Sequence, residues 1–248
     1  MIKKIPNINA RDFPTILGIN PFQSAFELLE SKIEGKHPFF GNKFTDHGNK
    51  YEKSALEVYE RQTGNKVDST QKTYKHSVYE WITGRYDGLT FLDIQEIEEE
   101  PHEEEDNKVN KKRKRTNTSK YIPNKKQKKE NSCIIEVKCP LKKDRKETLT
   151  IDNIPKYYWA QCQVYMNLIN CDLAHYIEFY IEPNADVSTG KLYTLTIIKD
   201  KNWWTESLPT IILFYEEVKK YHALGNLDTH PVRITEKLWK KDILKIST

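Results

Sequence analysis

Apolar residues recur at helical spacing from Phe22 through Ala25, Phe26 and Leu29 to Ile33, and Gly35 closes the run. Asn20-Pro21 ahead of them reads as an N-cap followed by proline at the first helical position. A second stripe, Tyr51, Ala55, Leu56, Val58 and Tyr59, predicts a helix over about 49–63, stopped by Gly64. The period then changes. Residues 73–81 are rich in β-branched and aromatic side chains, and 84–91 resume after a turn, so both segments are predicted strands. The run SCIIEVK at 132–138 has the continuous apolar character of a central, buried strand. A helix over about 154–169, strands at 174–181 and 191–198, and helices over about 204–224 and 234–246 complete the chain. The order is roughly ααβββαββαα. It predicts an α/β class (an α+β arrangement with a small central mixed sheet flanked by helices).

One stretch obeys neither period. Residues 96–106 are acidic and 108–129 are basic, with KKRKR at 111–115 and KKQKK at 125–129. Between Gln95 and Glu130 there are 11 Lys/Arg and 9 Asp/Glu. Blocks of like charge this dense do not build a core. The expectation is one domain over 1–248 with a flexible charged insertion at about 95–130, leaving one hairpin. Its sharper readings are a non-specific DNA tether or a nuclear localisation signal.

Composition narrows the class further. The 248 residues carry a formal net charge of only +4, so the charge asymmetry is local. No stretch approaches the apolar length of a membrane span, and the start MIKKIPNINARDF has no apolar signal region. The expectation is a protein that works inside a cell, without a membrane. Cys133, Cys139, Cys162 and Cys171 are too few for a disulfide framework, and no pair has CxxC spacing. They read as structural thiols in a reducing compartment, with no iron–sulfur cluster expected.

The candidate chemistry lies in Glu52, Asp87, Glu136 and Lys138. Glu136 and Lys138 are two apart on a strand, so they share one face of an otherwise apolar segment. Such a pair either closes into an edge salt bridge or faces a cleft and holds something. Asp87 sits in GRYDGLT at the start of the preceding strand, between glycines that allow close backbone approach. If the two strands pair, Asp87 and Glu136 converge on one hard cation, with the Val137 carbonyl as a further oxygen ligand. That donor set suits Mg²⁺. Lys138 then orients a water or stabilises charge on a phosphate in its transition state. Glu52, in HGNKYE on the early helix, adds a third carboxylate, as a ligand of a second metal or through water.

This set resembles the PD-(D/E)xK nuclease superfamily. The surrounding segments sharpen the match: LGINPFQSAFELLESK (17–32), HGNKYEKSALEVYERQTG (47–64), GRYDGL (84–89), IIEVKCP (134–140) and IPKYYWAQCQVYM (154–166). Together, and in this order, they look like the YqaJ viral recombinase family, which contains phage lambda exonuclease. The resemblance spans about residues 8–182. It implies a restriction-endonuclease-like core and a Mg²⁺-dependent alkaline exonuclease, with Mn²⁺ as a substitute. Such an enzyme degrades one strand of linear duplex DNA 5′ to 3′ and leaves a 3′ tail for a single-strand annealing protein, in viral recombination or repair. By motif position, Asp87, Glu136 and Val137 are the metal ligands, Lys138 the catalytic lysine and Glu52 the helical acid. Gln161 faces the water or the terminal phosphate, and Tyr165 shares that helical face.

The chain also departs from the family. Arg11 and Arg85 stand where relatives carry small hydroxyl residues that help hold the 5′ phosphate. Arginines there either grip that phosphate bidentately or alter end recognition. The basic loop with Lys142, Lys143 and Arg145 follows the active-site strand and is a candidate phosphate contact. Lambda-type relatives form a homotrimer around DNA, which the resemblance carries over only as an inference. A structure-specific endonuclease or nickase with the same site, and a non-catalytic DNA-binding module, stand as alternatives. The host cytoplasm, the nucleus and the virion all stay open as locations. His47 is a candidate for helix capping, substrate orientation or metal ligation. Trp203, Trp204, Phe214 and Tyr215 read as core packing before they read as base-stacking residues.

Overall fold

The structure, a computed structural model, describes residues 4–37, 41–68, 72–93, 130–141 and 147–235. In chain order these form β1 (Ile8–Asn9), α1 (Phe13–Ile16), α2 (Ala25–Glu34), α3 (Lys43–Thr63), β2 (Tyr74–Lys75), β3 (Ile82–Gly84), β4 (Gly88–Asp93) and β5 (Glu130–Lys138). Then come α4 (Lys156–Ile169), β6 (Leu173–Tyr180), β7 (Lys191–Ile198) and α5 (Lys201–Leu224). Among the described residues, no helix is long and apolar enough to cross a membrane.

Two sheets carry the fold. The larger has strand order β4-β5-β6-β7. β4 and β5 pair antiparallel, from Gly88 opposite Ile135 to Asp93 opposite Glu130. β5 runs parallel to β6, with Glu136 beside Tyr176 and Lys138 beside Glu178. Parallel neighbours need a crossover, and α4 supplies it. β7 returns antiparallel along β6. The smaller sheet has order β1-β3-β2, and β1 is the parallel partner of β3.

The alternation of β5 explains why its sheet is covered on both faces. Ile135 and Val137 point to one side and pack with Tyr51, Ala55, Leu56, Val58 and Tyr59 of α3. Ile134 points to the other, into a core shared with Cys162, Val164, Tyr165 and Met166 of α4 and Ile211, Phe214 and Val218 of α5. A strand with helices on both faces is apolar where they cover it, from Cys133 to Val137, and Glu136 and Lys138 are the charged side chains on the α4 side.

Several boundaries differ from the sequence reading. Asn20 does not cap a helix. Its side chain donates to Thr15 Oγ1 at 2.7 Å and accepts from the Phe22 backbone N–H at 3.0 Å. The helix starts at Ala25, capped by Ser24 with Glu27 in a reciprocal capping box. Phe22 is therefore outside the helix and 79% exposed. α3 begins earlier than expected, at Lys43, with Asn42 as its cap. Gly35 and Gly64 do close α2 and α3, at left-handed φ of 66° and 76°. The expected strand at 73–81 shrinks to Tyr74–Lys75, and 84–91 splits between β3 and β4. The expected insertion at 95–130 and most of the expected helix at 234–246 lie outside the described residues.

Candidate active site

The β4–β5 ladder ends where the acidic residues begin. Asp87 N–H donates to the Ile135 carbonyl at 3.2 Å, the last rung. One step further the Val137 N–H is taken by the Asp87 carboxylate, at Oδ2, 2.7 Å away. Ile135 and Val137 present their peptide groups to the same edge, because strand backbone repeats every two residues. The Val137 carbonyl therefore opens on the same side as Asp87. The aspartate thus takes the place of the missing strand partner.

Glu136 and Lys138 project from the α4 face. Lys138 Nζ is hydrogen-bonded to Glu136 Oε1 in a close ion pair. Gln161, one turn into α4, donates from Nε2 to the same Oε1 at 2.8 Å, and also to the Tyr165 hydroxyl at 2.7 Å. Glu136 is 2% exposed, yet its Oε2 is buried with no hydrogen-bond partner. A charged oxygen left bare in an interior is costly, and such an atom usually has a partner. Burial first, and the neighbouring Asp87 carboxylate second, push Glu136 up to about 7. Burial likewise raises Asp87, against the pull of Lys138 and the Val137 N–H. Burial works against the Lys138 ammonium, but Glu136 and Asp87 outweigh it and hold the lysine charged. The Lys138 ammonium also sits 4.6 Å over the ring of Tyr158.

The carboxyl oxygens of Asp87 and Glu136 are hard donors, Glu136 Oε2 lacks a partner, and the Val137 carbonyl lies along the same edge as Asp87. A divalent cation such as Mg²⁺ fits that donor set. Among the described residues, no three His, Cys, Asp or Glu side chains form a metal-holding group. Glu52 lies on α3, which packs on the opposite face of β5, and its charge is felt at Cys139. The converging pair is Asp87 and Glu136.

The remaining candidates fall into place around this pair. Arg11 is exposed in the short turn before α1, where Asn9 Oδ1 accepts its backbone N–H at 3.3 Å. Arg85 is exposed between β3 and β4. Both arginines lend positive charge to Asp87. Tyr165 is 1% exposed and holds Gln161, so it acts inside the site rather than on its surface. Lys142, Lys143 and Arg145 lie outside the described residues. His47 is not a helix cap, since Asn42 fills that position. It is buried against the Tyr51 ring, 4.8 Å away, and burial lowers its pKa. Trp204 stacks between Phe13 and His76, and Tyr215 stacks on Trp81 at 4.0 Å, as core packing requires. All four cysteines are free and buried.

Sequence reasoning missed two neighbours of Lys138. Tyr158 lies under its ammonium. Glu178, beside it on β6, is 4% exposed and accepts hydrogen bonds from the Tyr176 and Tyr180 hydroxyls. The signal for Glu178 was available in HYIEFYIE, where Tyr176, Glu178 and Tyr180 alternate onto one face.

With the geometry in hand, comparison with known proteins is informative. The profile of the YqaJ-like viral recombinase domain matches residues 5–172. No curated protein matches the chain. The fold is similar to the alkaline exonuclease LHK-Exo from Laribacter hongkongensis, at 16% identity over 94% of this chain and 95% of that one, with a TM-score of 0.58. The complex of LHK-Exo with dAMP gives 14% identity, 93% and 95% coverage, and a TM-score of 0.59. A phage-related exonuclease from Haemophilus somnus 129PT is 18% identical over 88% of this chain and 94% of that one, at a TM-score of 0.49. The likeness to LHK-Exo is one of fold.

Proposed function

The chain belongs to the YqaJ-like viral recombinase family, and on that premise we propose that it is a metal-dependent exonuclease acting on the ends of linear duplex DNA. One observation supports this most: the buried Glu136 Oε2 lacks any partner while Asp87, Lys138 and Gln161 crowd the same end of β5. A purely structural salt bridge has no need of an orphaned oxygen beside a second carboxylate.

Asp87, Glu136 and the Val137 carbonyl would hold Mg²⁺ or Mn²⁺, with Glu52 reaching it through water. The ion supplies Lewis-acid polarisation of the phosphate and a more acidic bound water. The protein does the rest. Lys138, kept charged by Glu136, stabilises the negative charge that grows on the phosphate oxygens. Gln161, braced by Tyr165, fixes the Glu136 carboxylate and so the position of the water. The water oxygen bonds to phosphorus, the bond from phosphorus to the 3′ oxygen breaks, and that oxygen takes up a proton. A 5′-mononucleotide leaves, and the shortened strand keeps a 5′ phosphate.

Digestion from 5′ to 3′ leaves a 3′ tail, the substrate of a single-strand annealing protein. Arg11 and Arg85 hold the terminal phosphate, and Lys142, Lys143 and Arg145 extend the grip. The setting is recombination or repair of viral DNA inside the host. We read residues 1–248 as one nuclease domain, and a homotrimer around DNA as its working assembly.

Purified protein with Mg²⁺ should release mononucleotides from linear duplex DNA and leave covalently closed circles intact. Glu136→Gln and Lys138→Ala should each reduce release by at least about a hundredfold, with circular dichroism unchanged. Full activity in both variants would sink the reading, and nicking of closed circles would turn it into an endonuclease.

A further inference from the structure

Phe22 is the most exposed large aromatic residue of the described chain, at 79%. The turn that carries it is tied down by Asn20, which bonds both the Thr15 hydroxyl and the Phe22 N–H. The Ile19 and Asn20 N–H groups both donate to the Pro14 carbonyl, at 2.9 and 3.1 Å. A single exposed ring is ordinary on a protein surface; Phe22 stands apart because of what its ring touches.

The ring is also connected to the catalytic lysine. Its edge meets Tyr157 at 5.8 Å and 76°. Tyr157 meets Tyr158 at 4.4 Å, and the Tyr158 ring lies under the Lys138 ammonium. An unbroken line of aromatic rings thus runs from the reacting centre to the surface. Beside its outer end lies a surface pocket of about 430 Å³, bounded by Thr15, Gly18, Asn20, Phe22, Gln23 and Glu27. The pocket is shallow and open to solvent, so it can receive the edge of a planar group but does not enclose it. Its walls mix the apolar groups of Ile16, Pro21 and Ala25 with the Phe22 ring and the Gln23 amide, a lining that accepts a heteroaromatic base with polar edges.

We propose that Phe22, backed by Tyr157, is a stacking platform for one unpaired nucleobase of the strand entering the Lys138 site, with the base edge in the adjoining pocket. This rests on the nuclease reading and deepens it. Base–aromatic stacking is sequence-tolerant because every base has a π-face. The platform therefore holds the melted end in register without imposing a sequence, and it is a positioning device rather than a catalytic one.

The test uses the full chain with Ca²⁺ to block cleavage, and 5′-phosphorylated duplexes with short frayed ends. 2-Aminopurine is placed at successive positions from the 5′ end, so that stacking quenches its fluorescence. Wild type should quench one position strongly, Phe22→Ala should lose that quench, and Phe22→Trp should keep it. An abasic site at that position should weaken wild-type binding about tenfold and leave Phe22→Ala binding unchanged. Equal quenching and equal affinity in wild type and Phe22→Ala, with DNA still bound and cut, would overturn the platform alone. Failure of wild type to bind or cut DNA would overturn the nuclease reading and the platform with it.

Discussion

Gln161 on α4 donates its amide to Glu136 Oε1 on β5 at 2.8 Å, and this bond fixes the orientation of a carboxylate whose other oxygen has no partner. The Tyr165 hydroxyl takes the second amide hydrogen one helical turn later, at 2.7 Å. Gln161→Ala should lower kcat on linear duplex by about tenfold or more with little change in KM, since it loosens the site without removing a charge. Tyr165→Phe should cost several-fold. Steady-state kinetics on both variants check this, and an effect confined to KM would place Gln161 on the substrate instead.

The burial of Glu136 has a thermodynamic signature. Its carboxyl is pushed up from 4.5 to about 7, and Asp87 is raised as well. Between those limits the metal-free folded protein holds a proton that the unfolded chain releases. Its stability should therefore fall as pH rises from about 4.5 through about 7. Mg²⁺ competes with those protons, so the rise in Tm on adding Mg²⁺ should grow over the same window. Melting curves of wild type and Glu136→Gln isolate this contribution. A variant that keeps the full wild-type pH dependence would contradict it.

Arg11 and Arg85 are exposed and both act on Asp87 through their charge. On the proposed function, Arg11→Ala and Arg85→Ala should each raise KM for 5′-phosphorylated ends by about tenfold, and barely alter it for 5′-hydroxyl ends. Parallel assays on the two end types decide the point. Equal losses on both would reassign the arginines to general backbone contact.

Gly84 packs where a side chain has no room. A Cβ there would meet Leu168 Cδ1 at 2.6 Å and Tyr165 Cε1 at 2.8 Å. Gly84→Ala should cost about 1–3 kcal/mol of stability, and it should lower activity by displacing Tyr165 from Gln161. Urea denaturation checks the first effect. An unchanged midpoint would mean that the α4–β3 contact is looser than the packing shows.

Much of this was readable along the chain, for physical reasons. The buried central strand stood out as IIEVK, since a strand covered on both faces has no polar alternation except where function demands it. β7 matched its expected bounds, 191–198. The helix starts were harder. Residues 43–48 are largely polar and show no apolar period, so only the Asn42 cap reveals that α3 begins there. At α2 the Ser24 and Glu27 pair signalled the true start, and Asn20-Pro21 masked it. The segment 73–81 has strand composition but spends its aromatic residues on packing, as Trp81 does against Tyr215. β1 is two residues long and pairs with a strand distant in sequence, beyond the reach of local pattern. The convergence of Asp87 and Glu136 at one end of β5 was legible from motif spacing. Which face Glu52 occupies was not, because helix phase relative to a distant strand is set by packing.

The hairpin of β4 and β5 meets its two tasks at opposite ends. Asp87 and Glu136 cluster where Gly88 faces Ile135, while the chain departs and returns where Asp93 faces Glu130. Length gained or lost at that far rim leaves the end that carries Asp87 and Glu136 undisturbed, and loop closure grows costlier only slowly with size. The hairpin is thus a natural port for foreign sequence: a fluorophore, an affinity handle or an entire guest domain can be spliced there without retuning the chemistry.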